Sequence, residues 1–108
     1  SIIPIMVYVN NLADDDINFP TGSISNPISG QTVDGIVSFS VLANDDTGIS
    51  EVNFIIQNAN VYTDDEAPYL YEWDTSILSS GDEFALSATI TDNSDNTTFL
   101  QPIIVTIE

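Results

Sequence analysis

Every apolar run in this chain is short, and several of them alternate. Phe84, Leu86, Ala88 and Ile90 interleave with Ser87, Thr89 and Thr91. Val37, Phe39, Val41 and Ala43 interleave with Ser38 and Ser40, and Val52, Phe54 and Ile56 repeat the pattern. A period of two places alternate side chains on one face of a strand, whereas a helix needs apolar residues three and four apart. Clusters of Gly, Pro, Asn and Asp separate the runs and supply turns. The chain therefore reads as all-β. Strands are expected at Gly22–Ser25, Ile36–Ala43, Glu51–Gln57, Val61–Thr63, Tyr69–Trp73, Phe84–Thr91 and Thr98–Ile107. Asn58-Ala59-Asn60 is expected as the hairpin connection before Val61.

Another strand is expected in front of these, at Ile5–Val9. Pro4 to Val9 reads Pro-Ile-Met-Val-Tyr-Val, and Pro102 to Ile107, 98 residues later, reads Pro-Ile-Ile-Val-Thr-Ile. An echo at that spacing matches the length of one small sandwich domain and is the mark of an array. Residues 1–12 are thus expected to be the closing strand of a preceding repeat, 13–19 an acidic linker, and 20–108 one domain. The competing reading of residues 1–12 is a free strand donated to an identical subunit, which would build a filament.

Charge narrows the function. The chain has 17 Asp and Glu and no Lys, Arg or His, for a formal charge of −17. No side-chain salt bridge can form, so self-repulsion must be relieved by salt, bound cations or basic partners. Nothing is available to neutralise phosphate, which excludes nucleic acid as a partner. The absence of His, Lys and Cys removes Ser–His pairs, thiol nucleophiles, Schiff bases and disulfides, and no enzyme is expected. It also removes a Lys-based isopeptide crosslink. No apolar run is long enough to cross a membrane as a helix, and Ser1-Ile2-Ile3-Pro4 lacks the basic start of a signal peptide.

From Pro20 to Ile107 the motifs follow a known order. They are Gly22-Ser23-Ile24-Ser25-Asn26-Pro27, Ser29-Gly30-Gln31-Thr32-Val33-Asp34-Gly35 and Asn44-Asp45-Asp46-Thr47-Gly48-Ile49. Glu51-Val52-Asn53-Phe54, Ala67-Pro68-Tyr69-Leu70-Tyr71-Glu72-Trp73-Asp74-Thr75 and Thr91-Asp92-Asn93-Ser94-Asp95-Asn96 complete them. The stretch resembles the bacterial Ig-like domains repeated in tandem in secreted and cell-surface proteins. The resemblance implies an Ig-like seven-stranded antiparallel β-sandwich outside the cell, in a structural or adhesive role. It departs from the family pattern in lacking Lys and Arg at outward strand positions.

On an Ig-like topology the linker and the turns after the second, fourth and sixth strands meet at one pole. That gathers ten of the 17 acids, among them Asp14, Asp15, Asp16, Asp45, Asp46, Asp64, Asp65, Asp92 and Asp95, with Asn96 beside them. These residues are candidate Ca²⁺ ligands, because Ca²⁺ takes six to eight oxygens and no His or Cys favours another metal. No EF-hand loop is present. The competing reading is a set of solvated turns, since Asp and Asn favour turns for local hydrogen bonding.

Tyr69, Tyr71 and Trp73 share one face of a strand. They read as core, with Trp73 central and packed against the strands of Phe39, Phe54 and Leu86, rather than as a sugar-stacking platform. Tyr8 and Tyr62 are expected at the surface. Asn96-Thr97-Thr98 matches a glycosylation sequon but reads as coincidence. The expected function is a repeat module of an extracellular stalk, fibre or adhesin, spacing and carrying load beside neighbouring Ig-like repeats. Ca²⁺ at the joints would stiffen it. The alternative is a glycan- or protein-binding module.

Overall fold

The computed structural model describes residues 18–108, and the Ile5–Val9 strand, Tyr8 and Asp14–Asp16 lie outside them. Within these residues the alternating runs form nine strands. They are β1 (Thr21–Asn26), β2 (Thr32–Val33), β3 (Ile36–Asn44), β4 (Ile49–Ile56), β5 (Ala59–Asp64), β6 (Tyr69–Asp74), β7 (Glu83–Asp92), β8 (Thr97–Phe99) and β9 (Ile103–Ile107). One sheet runs β1-β3-β6. The other runs β2-β9-β7-β4-β5, with β8 also paired to β7. The two sheets face each other as a sandwich with Ig-like strand order.

The core is what the alternation specified. Val37, Phe39 and Val41 from β3 meet Val52, Phe54 and Ile56 from β4 and Leu86, Ala88 and Ile90 from β7, all buried. Val105 and Ile107 close it from β9. Phe39 and Phe54, one from each sheet, meet edge to face with centroids 5.0 Å apart at 86°. Such a pair adds about 0.5–1.5 kcal/mol beyond its burial. Trp73 is buried in the core, and its ring partner is Phe84, at 5.6 Å, on the same strand as Leu86. The registers explain this. Trp73 pairs with Val37 at one end of β3, while Tyr71 pairs with Phe39.

Three local details differ from the expected pattern. Gln31-Thr32-Val33 forms the short β2, parallel to β9 through Thr32–Thr106 and Val33–Ile107. Two residues are too few to show a period, so only the turns at Gly30 and Gly35 were legible there. The β4–β5 turn is Gln57-Asn58, not Asn58-Ala59-Asn60. Both of its residues have positive φ, 52° and 67°, as a type I′ hairpin turn requires. The strand then bulges at Val61, because Phe54 pairs with Tyr62 while Ile55 pairs with Asn60.

The third difference is a break in the closing strand. Instead of running from Thr98 to Ile107 it leaves the sheet at Leu100-Gln101-Pro102, dividing β8 from β9. Pro102 has no N–H to give to a ladder, and such residues are confined to strand starts, edges and bulges. Ser87 Oγ donates to Leu100 O at 2.8 Å and Leu100 N donates to Ala88 O at 2.9 Å, which holds the departing segment in place.

Candidate functional site

Strand register brings the acidic turns to one end of the sandwich. Thr21 pairs with Asn44, Ile49 with Asp92, Val52 with Asp64 and Val41 with Tyr69. The incoming segment and the β3–β4, β5–β6 and β7–β8 turns therefore share a pole.

Two of these turns are tied to each other. Asn93 N donates to Gly48 O at 3.0 Å, and Asn93 Nδ2 donates to Thr47 O at 2.8 Å. Gly48 has φ 93°, and a Cβ there would lie 2.8 Å from Asn93 Nδ2. The incoming segment joins them: Asn18 Nδ2 donates to Asp46 Oδ2 at 3.0 Å, and Asn96 Nδ2 donates to Asn18 O at 3.4 Å. Thr98 Oγ1 donates to the carbonyl of buried Pro20 at 2.7 Å. Neither Asn18 nor Asn93 is among the candidate ligands read from the sequence, because an amide in an acidic turn looks like any other turn residue.

The carboxylates mostly serve their own turns. Asp45 Oδ2 accepts from Thr47 N at 2.9 Å and Thr47 Oγ1 at 2.7 Å. Asp92 is fully buried, and its Oδ1 accepts from Ser94 N at 2.9 Å and Asn96 N at 2.8 Å. Asp95 holds a left-handed backbone, φ 68°, in the same turn. On the β5–β6 turn Asp64 accepts from Glu66 N and Leu70 N, each at 3.1 Å. Asp64 and Asp65 also lift the ionisation of Tyr69, whose phenol is raised first by burial and then by these two charges. Among the described residues, no hydrogen bond links the β5–β6 turn to the other two.

No group of three or more acidic side chains among the described residues is placed to hold a metal ion. Asp45, Asp64 and Asp92 spend oxygens on N–H groups of their own turns. The linker acids Asp14, Asp15 and Asp16 lie outside the described residues.

The tyrosine stripe is a seam. Tyr69 and Tyr71 are half-buried against the core. Tyr62, exposed as expected, stacks on Tyr71 with centroids 5.6 Å apart at 26°, and so covers the open edge between β5 and β6.

No curated protein matches this sequence. Among solved structures, the fibronectin(III)-like modules of Clostridium thermocellum CbhA superpose with a TM-score of 0.66 at 28% identity, over 96% of this chain and 50% of theirs. The endo-β-1,4-mannanase of Thermotoga petrophila superposes with a TM-score of 0.64 at 14% identity, over 94% of this chain and 26% of that one, a likeness of fold alone. The chain thus spans half or less of the length of these neighbours. Bacterial Ig and fibronectin III-like modules are generally non-catalytic. The bacterial Ig domain profile matches residues 20–83, more than half of the sequence, and the chain belongs to that family.

Proposed function

We propose that this domain is a spacer repeat in a secreted or surface protein, a setting in which bacterial Ig and fibronectin III-like modules commonly occur. One observation carries the reading. The chain enters at the pole of the acidic turns, where Thr98 holds Pro20, and leaves at the opposite pole, where Ile107 N donates to Asp82 O at 2.8 Å. A domain with its incoming and outgoing segments at opposite ends transmits length and load along an array. The incoming segment is anchored at Asn18 and Pro20, so a preceding repeat would meet a fixed surface. Recombinant chains of one, two and three repeats, compared by small-angle scattering, test this. Maximum dimension should grow by a constant increment per repeat; a compact dimer or trimer would refute it.

Calcium belongs to this reading only through the linker. A joint ion would draw on Asp14, Asp15 and Asp16 together with oxygens of Asp46, Asp95 or a neighbouring repeat. Melting of the two-repeat chain with chelator, then with Ca²⁺ or Mg²⁺ at matched ionic strength, tests it. A Ca²⁺ midpoint equal to the Mg²⁺ midpoint removes the ion from the proposal.

The second reading is an accessory module beside a catalytic domain. It is favoured by the likeness to modules of CbhA and to a stretch of a mannanase more than three times the aligned length. Strand donation by residues 1–12 is tested by deleting them: loss of polymerisation supports donation, and unchanged assembly supports the tandem array.

A further inference from the structure

The outer face of the β2-β9-β7-β4-β5 sheet carries a shallow groove of about 480 Å³. It exists because the closing strand breaks. Gln101 and Pro102, between β8 and β9, line it together with Asn58 of the β4–β5 turn. Ile55, Ser87 and Phe99 line it between them.

Three properties set this groove apart from the rest of the surface. Its lining holds no charged side chain, in a chain with 17 acids. Phe99 is 76% exposed, with no ring partner among the described residues. Asn58 and Gln101 are exposed and make no side-chain hydrogen bond to any described residue. Side-chain hydrogen bonds tie together the strands around them. Asn53 Nδ2 donates to Thr89 Oγ1 at 3.1 Å, Thr63 Oγ1 donates to Asn53 Oδ1 at 2.5 Å, and Ser87 is fixed to Leu100.

A ligand for this groove meets no charge, one aromatic face, and two carboxamides that each donate and accept. Anions find no cation to neutralise them, and cations find no carboxylate in the lining. A sugar ring has an apolar C–H face that an aromatic ring can cover, and hydroxyls that pair with carboxamides in either sense. We propose that the groove binds a neutral polysaccharide chain, with Phe99 stacking on a sugar ring and Asn58 and Gln101 hydrogen-bonding its hydroxyls. The groove opens on the outer face of the sheet and reaches the exit pole at Asn58. The proposal is independent of the spacer reading.

The test is titration of the ¹⁵N-labelled chain with cellohexaose, mannohexaose and xylohexaose, with hexagalacturonate as the charged counterpart. At least one neutral sugar should give saturable amide shifts clustered at Ile55, Ser87, Phe99 and Gln101, and hexagalacturonate should give none there. Phe99→Ala should weaken binding by about tenfold, and Gln101→Ala should weaken it as well. Both side chains are exposed, so melting midpoints should not move, which separates lost binding from lost fold. Three outcomes overturn the proposal: no saturable shift with any neutral sugar, shifts centred elsewhere, or unchanged affinity in Phe99→Ala. Concentration-dependent shifts of the same residues without sugar would assign the face to a second copy and overturn it too.

Discussion

Asp92 holds Asn96 with both carboxylate oxygens: Oδ1 accepts from the Asn96 amide at 2.8 Å and Oδ2 from its side-chain Nδ2 at 3.1 Å. A buried carboxylate is tolerable only when its lone pairs are satisfied. Here donors of the β7–β8 turn supply that satisfaction, and the acid builds the turn. Asp92→Ala strands the Ser94 and Asn96 amides, and it should lower stability by about 2–4 kcal/mol. Asp92→Asn keeps one acceptor and should cost less. Urea denaturation with an unchanged m-value reads both. The loss should be the same with and without Ca²⁺.

Gly22 lies where β1 passes closest over the core. A Cβ there would strike Leu42 O and come 2.5 Å from Ile90 Cδ1. The Leu42 carbonyl belongs to the paired backbone of β3 and cannot swing away as a side chain would. Gly22→Ala should therefore cost about 1–3 kcal/mol by overpacking. Gly81→Ala is the contrast. Its φ is 88° with nothing within 4 Å of the added methyl, so only backbone strain of about 1 kcal/mol is expected. Thermal melts of the two variants separate close approach from strain.

Stability should fall at both ends of the pH range for different reasons. The Ser76 hydroxyl, and then its amide, hydrogen-bond Asp74 and hold its carboxyl below 3.8. That contribution is present above pH 3.8 and is lost as pH falls through the lower folded value. Tyr69 is raised above 10.0, so its contribution is intact below that pH and is lost as pH rises through the higher folded value. Acid also neutralises the other carboxylates and relieves repulsion, so variants must be compared with the parent. Ser76→Ala should remove part of the acid loss, and Tyr69→Phe part of the alkaline loss, in midpoint-against-pH profiles.

A formal charge of −17 with no cation makes salt a stabiliser. Screening shortens the reach of repulsion from about 30 Å at 0.01 M to about 8 Å at physiological ionic strength. The melting midpoint should rise steeply with NaCl below that point and flatten above it. A flat profile would mean that the acids are too well spread to repel.

The family, the two-sheet core and the polar position of the acidic turns were legible in the residues. Alternation at Val37–Ala43, Val52–Ile56 and Phe84–Thr91 is a local property, because a period of two fixes which side chains face inward. The turn motifs are local too, since Gly and Asp shape the backbone within a few residues. Charge is a matter of composition, and with 17 acids and no Lys, Arg or His it sets the expectation that nucleic acid is not a partner.

Other features arise only when distant segments meet. Asn93 closes on Gly48, and Asn18 on Asp46 and Asn96, across separations no sequence window spans. Trp73 takes Phe84 as its ring partner while Phe39 takes Phe54, because inter-sheet packing depends on the offset between strands and not on either strand's pattern. The groove beside Phe99 needs Pro102 to break one strand while Ile55 and Ser87 line up on two others. Short-range chemistry chose the strands and their faces; tertiary structure alone decided which residues bond from one turn to the next and where the outer face forms a groove.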